Sequence, residues 1–165
     1  MIGMQAKELE QKNKKVWVPW WQEYLAKCDE FMAATKAGEY EKVARLINID
    51  YAADKAVNVN YQEQIKGYAA LHYAVESNDK KMANLLIKNY ADVKVQNVDL
   101  QTPLHIACLK GHTEIFKELF DACYQAKESI DKDGKTPLDY ARELKRKEIL
   151  DFARNTTHLL YSIDS

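Results

Sequence analysis

Glycine and proline are scarce in this chain of 165 residues, at 5 and 3. That excludes a collagen-like sequence or a Gly/Pro-rich disordered one. Cysteine is scarcer still for a disulfide scaffold: Cys28, Cys108 and Cys123 are odd in number and nowhere form a CxxC pair. Free thiols in a reducing compartment are expected, which points to a cytoplasmic protein, with nuclear or assembly-associated placement as variants. Arginine is limited to Arg45, Arg142, Arg146 and Arg154, and 24 basic residues face 25 acidic ones for a net charge of −1. With no basic excess and few of the side chains that fork onto phosphates and base edges, no nucleic-acid partner is expected. Long apolar runs are missing too. The longest stretch without a charged residue, Leu100 to Leu109, is ten residues, about half of a spanning helix, so no membrane insertion is expected. Charges from Lys7 to Lys15 interrupt any signal-peptide core.

What is present is enough apolar matter for a core, 47% of residues, arranged with a period. Thr102-Pro103-Leu104-His105-Ile106-Ala107 recurs 34 positions later as Thr136-Pro137-Leu138-Asp139-Tyr140-Ala141, and 33 positions earlier as Ala69-Ala70-Leu71-His72-Tyr73-Ala74. Four residues after each alanine stand Asn78, Gly111 and Lys145, and four later Met82, Ile115 and Ile149. Ala34, Gly38, Val43, Leu46 and Ile47 fit the same phase. Each unit reads as a short helix opened by a Thr cap and a Pro, a tight turn, and a longer amphipathic helix. No such unit buries its apolar face alone, so the units must stack.

Ahead of the repeats, Trp17, Trp20 and Trp21 fall within five residues. Trp20, Trp21, Tyr24, Leu25 and Cys28 share one helix face. Asp29 is expected to cap a separate, following helix. The division expected is therefore a polar tail plus Trp-rich capping helix over 1–28, four repeats over 29–63, 64–96, 97–130 and 131–160, and a tail over 161–165.

The run Gln101 to Phe120, the Asp131-Lys-Asp-Gly-Lys-Thr-Pro-Leu138 entry and Tyr90-Ala-Asp-Val93 resemble the ankyrin-repeat family. The resemblance covers about four fifths of the chain. It implies an all-α solenoid of helix-turn-helix units with short β-hairpin-like fingers and a concave binding face. Departures from the pattern carry their own expectations. The first unit lacks Thr-Pro-Leu-His, as an N-terminal cap would. The last carries Lys145-Arg146 in place of Gly-His and a charged outer helix, as a solubilising cap would. Tyr90 and Leu100 stand where the family prefers a glycine with positive φ, so a modest strain is expected there. Some six to seven residues are inserted within 48–66, in a connector that serves either as a specificity loop or as a passive surface loop.

Three apparent chemical motifs are better explained by the repeat. His105, Cys108 and His112 have ligand-like spacing, but Gly111 is expected to end the helix between them, leaving a capping His, a core Cys and a helix-opening His. Gly134-Lys135-Thr136 lacks the earlier Gly of a phosphate loop, and Asp131-x-Asp133-Gly134 lacks the spacing of a calcium loop. No nucleophile elbow, zinc-protease motif or dinucleotide loop occurs. No catalysis, cofactor or metal is expected.

The resemblance implies partner contacts on the fingers and the exposed side of each first helix. By unit, these are Lys36; Ile65, Lys66, Tyr68, Glu76 and Ser77; Val98, Asp99, Gln101, Leu109 and Lys110; and Lys132, Asp133, Lys135, Glu143 and Leu144. Ile65, Tyr68, Leu109 and Leu144 are expected to form an apolar centre, with Tyr68 as anchor. Trp17, Trp20 and Trp21 either cover the first repeat or contact a partner. The function expected is a non-catalytic adaptor binding a protein partner. The alternative is a structural subunit of a large cytoskeletal or organellar assembly.

Overall fold

Proline at the first helical position and the small residue that follows it by four set the local pattern. The computed structural model describes residues 19–48 and 57–161. These hold eight α-helices: α1 (Trp20–Lys36), α2 (Tyr40–Ile47), α3 (Ala70–Glu76), α4 (Lys80–Lys88), α5 (Pro103–Lys110), α6 (Thr113–Ala122), α7 (Pro137–Glu143) and α8 (Lys147–Tyr161). A 3₁₀ turn covers Tyr124–Glu128. The helices pair within each unit and then stack along a row. The inner helices α1, α3, α5 and α7 contact one another in that order, as do the outer helices α2, α4, α6 and α8. The architecture is a helix-turn-helix solenoid. No helix among the described residues is long and apolar enough to cross a membrane.

Ala34, Ala74, Ala107 and Ala141 occupy one position on the four inner helices, and all are buried. A side chain this small lets neighbouring helices approach closely. Each alanine carbonyl accepts the amide five residues on, from Glu39, Asp79, His112 and Arg146, at 2.8–3.0 Å. The residue just before that amide is left-handed in every case: Gly38 (φ +71°), Asn78 (+57°), Gly111 (+77°) and Lys145 (+54°). This turn closes the inner helix and starts the outer one. Tyr90 and Leu100 are also left-handed, at +65° and +58°, at roughly 1 kcal/mol each relative to glycine.

Neighbouring repeats are tied by polar contacts as well as by packing. The Nδ1 of His105 accepts the Thr102 amide at 3.0 Å, so its Nε2 carries the proton and donates to the Lys135 carbonyl of the next repeat at 3.1 Å. His72 does the same one repeat earlier, between the Ala69 amide (3.0 Å) and the Gln101 carbonyl (3.1 Å). Asp139 replaces histidine in the last repeat and caps Thr136 at 2.9 Å. The Thr hydroxyl cap forms at Thr136, from the Asp139 amide at 3.3 Å. At Thr102 the hydroxyl instead lies 2.9 Å from His105 Nδ1.

Two expectations at the N-terminus need correction. No break occurs at Asp29, which is exposed in the middle of α1. Tyr24, Cys28, Phe31, Met32 and Thr35 form one uninterrupted stripe facing the core, so nothing stops the helix there. Trp20 and Trp21 thus start the first inner helix and do not belong to a separate one. Trp17 lies outside the described residues, as do 1–16, 18 and 162–165; Trp20 contributes the first residue of α1. Trp21 is 48% exposed. The extra connector residues localise by register. Leu46 and Val57 are eleven positions apart where their counterparts Leu86 and Ala91 are five apart. Most of the insertion therefore falls on 49–56, outside the described residues.

The Lys145-Arg146 departure has a structural use. The Arg146 guanidinium lies over Gly111, 2.7 Å from where a Cβ would stand, and donates to the Leu109 carbonyl at 3.0 Å. A side chain at Gly111 meets both a left-handed backbone and this guanidinium. Gly134, at φ +71°, has nothing within 4 Å. Gly134→Ala is expected to cost about 1 kcal/mol, and Gly111→Ala clearly more. Equal shifts of the two urea midpoints would contradict the Arg146 contact.

Burial lowers the pKa of His72 to about 4, with the Gln101 carbonyl offsetting part of the effect. Burial lowers His105 too, against the Lys135 carbonyl and the Asp131 charge. Both rings fold neutral. Their contribution is complete above the unfolded pKa of about 6.5 and is lost as pH falls through the lower folded values. His72 alone accounts for a loss on the order of 3 kcal/mol. Urea midpoints from pH 7 to 4 are expected to fall, with His72→Gln flattening the slope. A stability constant from pH 6.5 to 4.5 would count against neutral buried rings.

Candidate protein-binding surface

The fingers are built so that their backbones satisfy one another and their side chains are left over. Asn97 Oδ1 accepts the Asp99 and Gln101 amides at 2.9 and 2.8 Å. Asp131 Oδ1 accepts those of Asp133 and Lys135, both at 3.0 Å. Adjacent fingers are joined by the Val98 amide donating to the Lys66 carbonyl (3.0 Å) and the Lys132 amide donating to the Asp99 carbonyl (3.1 Å). Gln62 Nε2 spans the Gly67 and Gln96 carbonyls, each at 2.7 Å, and Gln96 Nε2 spans those of Leu100 and Ile130, at 3.0 and 3.3 Å. The only strand-like pairing among the described residues is one bridge, Gln62 to Ala69.

Of the side chains assigned to this surface, Ile65 is 85% exposed at its fingertip and Val98, on the next finger, 46%. Lys66, Asp99, Lys132 and Asp133 are exposed beside them. The ends of the inner helices supply a second row: Lys36, Glu76, Ser77, Lys110, Glu143 and Leu144, the last 45% exposed. Two ion pairs cross between the rows, Lys36–Glu63 at 3.1 Å and Lys135–Glu143 at 2.8 Å. Each keeps at least one partner open to solvent, so they contribute little to stability. The Gln101 carbonyl is held by His72.

The expected apolar centre is divided. Ile65 and Leu144 project outward, whereas Tyr68 and Leu109 are partly buried against the core. The Tyr68 ring stacks on His72 and meets Tyr73, each at 5.0 Å between centroids. It is a wall of the surface more than a projecting anchor. Leu100 and Ile130, both exposed next to the fingers, and Tyr73 join this surface without any motif in the sequence that marks them. The Tyr73 ring lies under the Lys36 ammonium at 4.3 Å, and the same ammonium pairs with Glu63 at 3.1 Å. Burial pushes Glu63 up, but Tyr73 and Lys36 outweigh it and hold the carboxyl below its ordinary value.

Tyr73 has a counterpart in Tyr140, whose hydroxyl donates to Asp131 at 2.6 Å. That bond, with burial and the Asp131 charge, raises the Tyr140 pKa. At the same position the third repeat has Ile106, and its finger opens with Asn97, a neutral residue. Tyrosine accompanies a finger carboxylate and isoleucine accompanies an amide. This internal correlation was the available signal for Tyr73.

Two of the residues with ligand-like spacing, His105 and Cys108, are committed to the stack. Both ring nitrogens of His105 are engaged by backbone groups. Burial pushes the Cys108 thiol up to about 12, away from thiolate chemistry. The described residues contain no group of three or more His, Cys, Asp or Glu placed to hold a metal ion.

Comparison with known proteins agrees with this arrangement. The family profile described as ankyrin repeats, in 3 copies, matches residues 27–97 and 92–156. The chain belongs to the ankyrin-repeat family. Among its relatives, human protein phosphatase 1 regulatory subunit 27 is 29% identical over 127 residues, 77% of each chain. Alpha-latrotoxin-Lg1a of Latrodectus geometricus is 35% identical over 112 residues, 67% of this chain and 8% of the toxin. The NF-kappa-B p105 subunit of Gallus gallus is 38% identical over 114 residues, 57% of this chain and 12% of that protein. The ankyrin-repeat chain thus spans only a small part of the latrotoxins it resembles.

Within this ankyrin stack the Tyr140–Asp131 bond, at 2.6 Å, ties a finger to its helix through a buried carboxylate. Tyr140→Phe is expected to cost about 1–3 kcal/mol, since a buried carboxylate loses a donor. Tyr73→Phe is expected to cost less, because Glu63 keeps Lys36. Urea denaturation of the two variants checks the order, and the reverse order would contradict it.

Proposed function

We propose that the protein is a non-catalytic interaction module whose finger and inner-helix face grips a protein partner. Ankyrin repeats are in general protein-interaction modules, and a relative named as a regulatory subunit is in keeping with that role. The observation that carries the reading is the finger row. Its backbone is locked by hydrogen bonds from repeat to repeat, while Ile65, Val98, Leu100 and Ile130 stand exposed on it. A rigid support for apolar side chains loses little conformational entropy on binding, and exposed apolar groups of this kind mark interfaces. In this reading the module works in a reducing compartment, with Cys28, Cys108 and Cys123 as thiols.

A second reading, a structural subunit of a larger assembly, is favoured by Trp21 and Leu25. They lie one helical turn apart on α1 and are 48% and 40% exposed. Light scattering on the purified chain separates the two. A stable monomer supports the adaptor and progressive association supports the subunit.

A photo-crosslinking residue placed at Ile65 or Val98 is expected to capture a protein in extracts of the native source, whereas one at Glu118, on the outer helices, is not. The double variant Ile65→Asp/Val98→Asp is expected to lose the captured partner by tenfold or more in affinity, with an unchanged melting temperature. Unaltered binding by that variant would contradict the assignment.

A further inference from the structure

The row of repeats ends differently from how it runs. Phe31, Leu71 and Leu104 hold the same position on α1, α3 and α5, and each is fully buried. Their counterpart on α7, Leu138, is partly exposed. The outer helices repeat the change: Val43, Ala83 and Phe116 are buried, and Leu150 on α8 is partly exposed. At these positions the earlier repeats are covered by the next pair of helices; among the described residues no further pair covers the last.

Leu138 and Leu150 line a groove of about 700 Å³ between α7, α8 and the 3₁₀ turn. Past Arg142, Leu150 and Arg154 it continues into a second hollow of about 440 Å³. There Arg142, Lys145, Lys147 and Arg154 surround a single carboxylate, Asp151. Four cations to one anion is a marked excess in a chain of net charge −1. Arg142 is paired with Asp139 and Arg154 with Asp151. Lys145 and Lys147 have no ion-pair partner among the described residues. The far rim sets Lys127 against two carboxylates, Glu128 and Asp139.

We propose that this end of the stack is a second protein-binding surface, filled by an acidic amphipathic helix of a partner. Such a helix lies where the helices of a following repeat would lie. Its apolar residues at three- and four-residue spacing cover Leu138 and Leu150. Its carboxylates meet Lys145 and Lys147, which fixes the direction in which it lies, since the opposite rim, with Glu128 and Asp139 against Lys127, offers a carboxylate no attraction. An inorganic anion or a nucleic acid would leave the two leucines in water. A wholly apolar helix would leave the cations facing a surface with no charge to meet them.

The test uses the full chain and a fluorescein-labelled synthetic helix of about 18 residues, five turns, with Leu on one face and Glu on the other. Fluorescence anisotropy at low salt is expected to show binding that weakens as salt rises. A peptide with Lys in place of every Glu is expected not to bind. Lys145→Glu/Lys147→Glu is expected to weaken the acidic peptide at least tenfold, and Lys145→Gln/Lys147→Gln to weaken it less. Both pairs are exposed, and circular dichroism verifies that each variant folds. Ile65→Asp/Val98→Asp is expected to leave this binding unchanged, which separates the result from the finger surface. The proposal is overturned if the acidic peptide does not bind, or if the finger variant and not the lysine variant weakens it. It is also overturned if the lysine residues serve instead to hold phosphatidylserine vesicles or a second copy of the chain, read by co-sedimentation and light scattering.

Discussion

Two buried, uncharged imidazoles hold the register of this protein. His72 and His105 each accept an amide at the start of their own helix and donate to a carbonyl in the next repeat's finger. Apolar packing alone specifies that helices stack but only loosely how far one slides along its neighbour. A ring pinned at both nitrogens allows one offset. It also requires the neutral form, because a second ring proton would face an amide donor instead of accepting from it. Burial supplies that condition by keeping both rings uncharged.

From this constraint the fingers follow. Each is held at its base by a histidine from the preceding repeat or by a carboxylate closed on its own amides, and along its edge by amide donors from its neighbour. The Tyr140–Asp131 bond and the Lys36 ammonium, which lies over Tyr73 and pairs with Glu63, add side-chain ties from inner helix to finger. With the backbone satisfied in this way, side chains such as Ile65 and Val98 are free to vary without disturbing the fold. The same economy explains why the scaffold is generic while the surface is particular. Nearest-neighbour stacking also leaves two ends, and at the C-terminal one Leu138 and Leu150 remain partly uncovered.

Much of the fold was legible because it recurs. A 33–34 residue period fixed the four helix pairs, the buried alanines and the turns at Gly38 and Gly111, and Tyr90 and Leu100 took the left-handed conformation their positions implied. What was not legible is what does not recur. Asp29 looked like a cap because aspartate prefers that role, but an unbroken stripe from Tyr24 to Thr35 carries α1 through it. Arg146 read as part of a charged, solvated helix, yet it folds back over Gly111, a contact visible only in three dimensions. Tyr68 has the chemistry of an aromatic anchor, but packing on His72 and Tyr73 decides its exposure. Tyr73 required comparing repeats pairwise with their own fingers. Of the surface, the sequence indicated which residues stand on fingers and helix ends but not which of them are covered.

Nitrogen-15 correlated NMR of the imidazole rings at neutral pH addresses the central claim directly. The account predicts that His72 and His105 both carry a single, slowly exchanging proton on Nε2, with Nδ1 bare. A proton on Nδ1 in either ring, or a rapidly averaged mixture of tautomers, would contradict it.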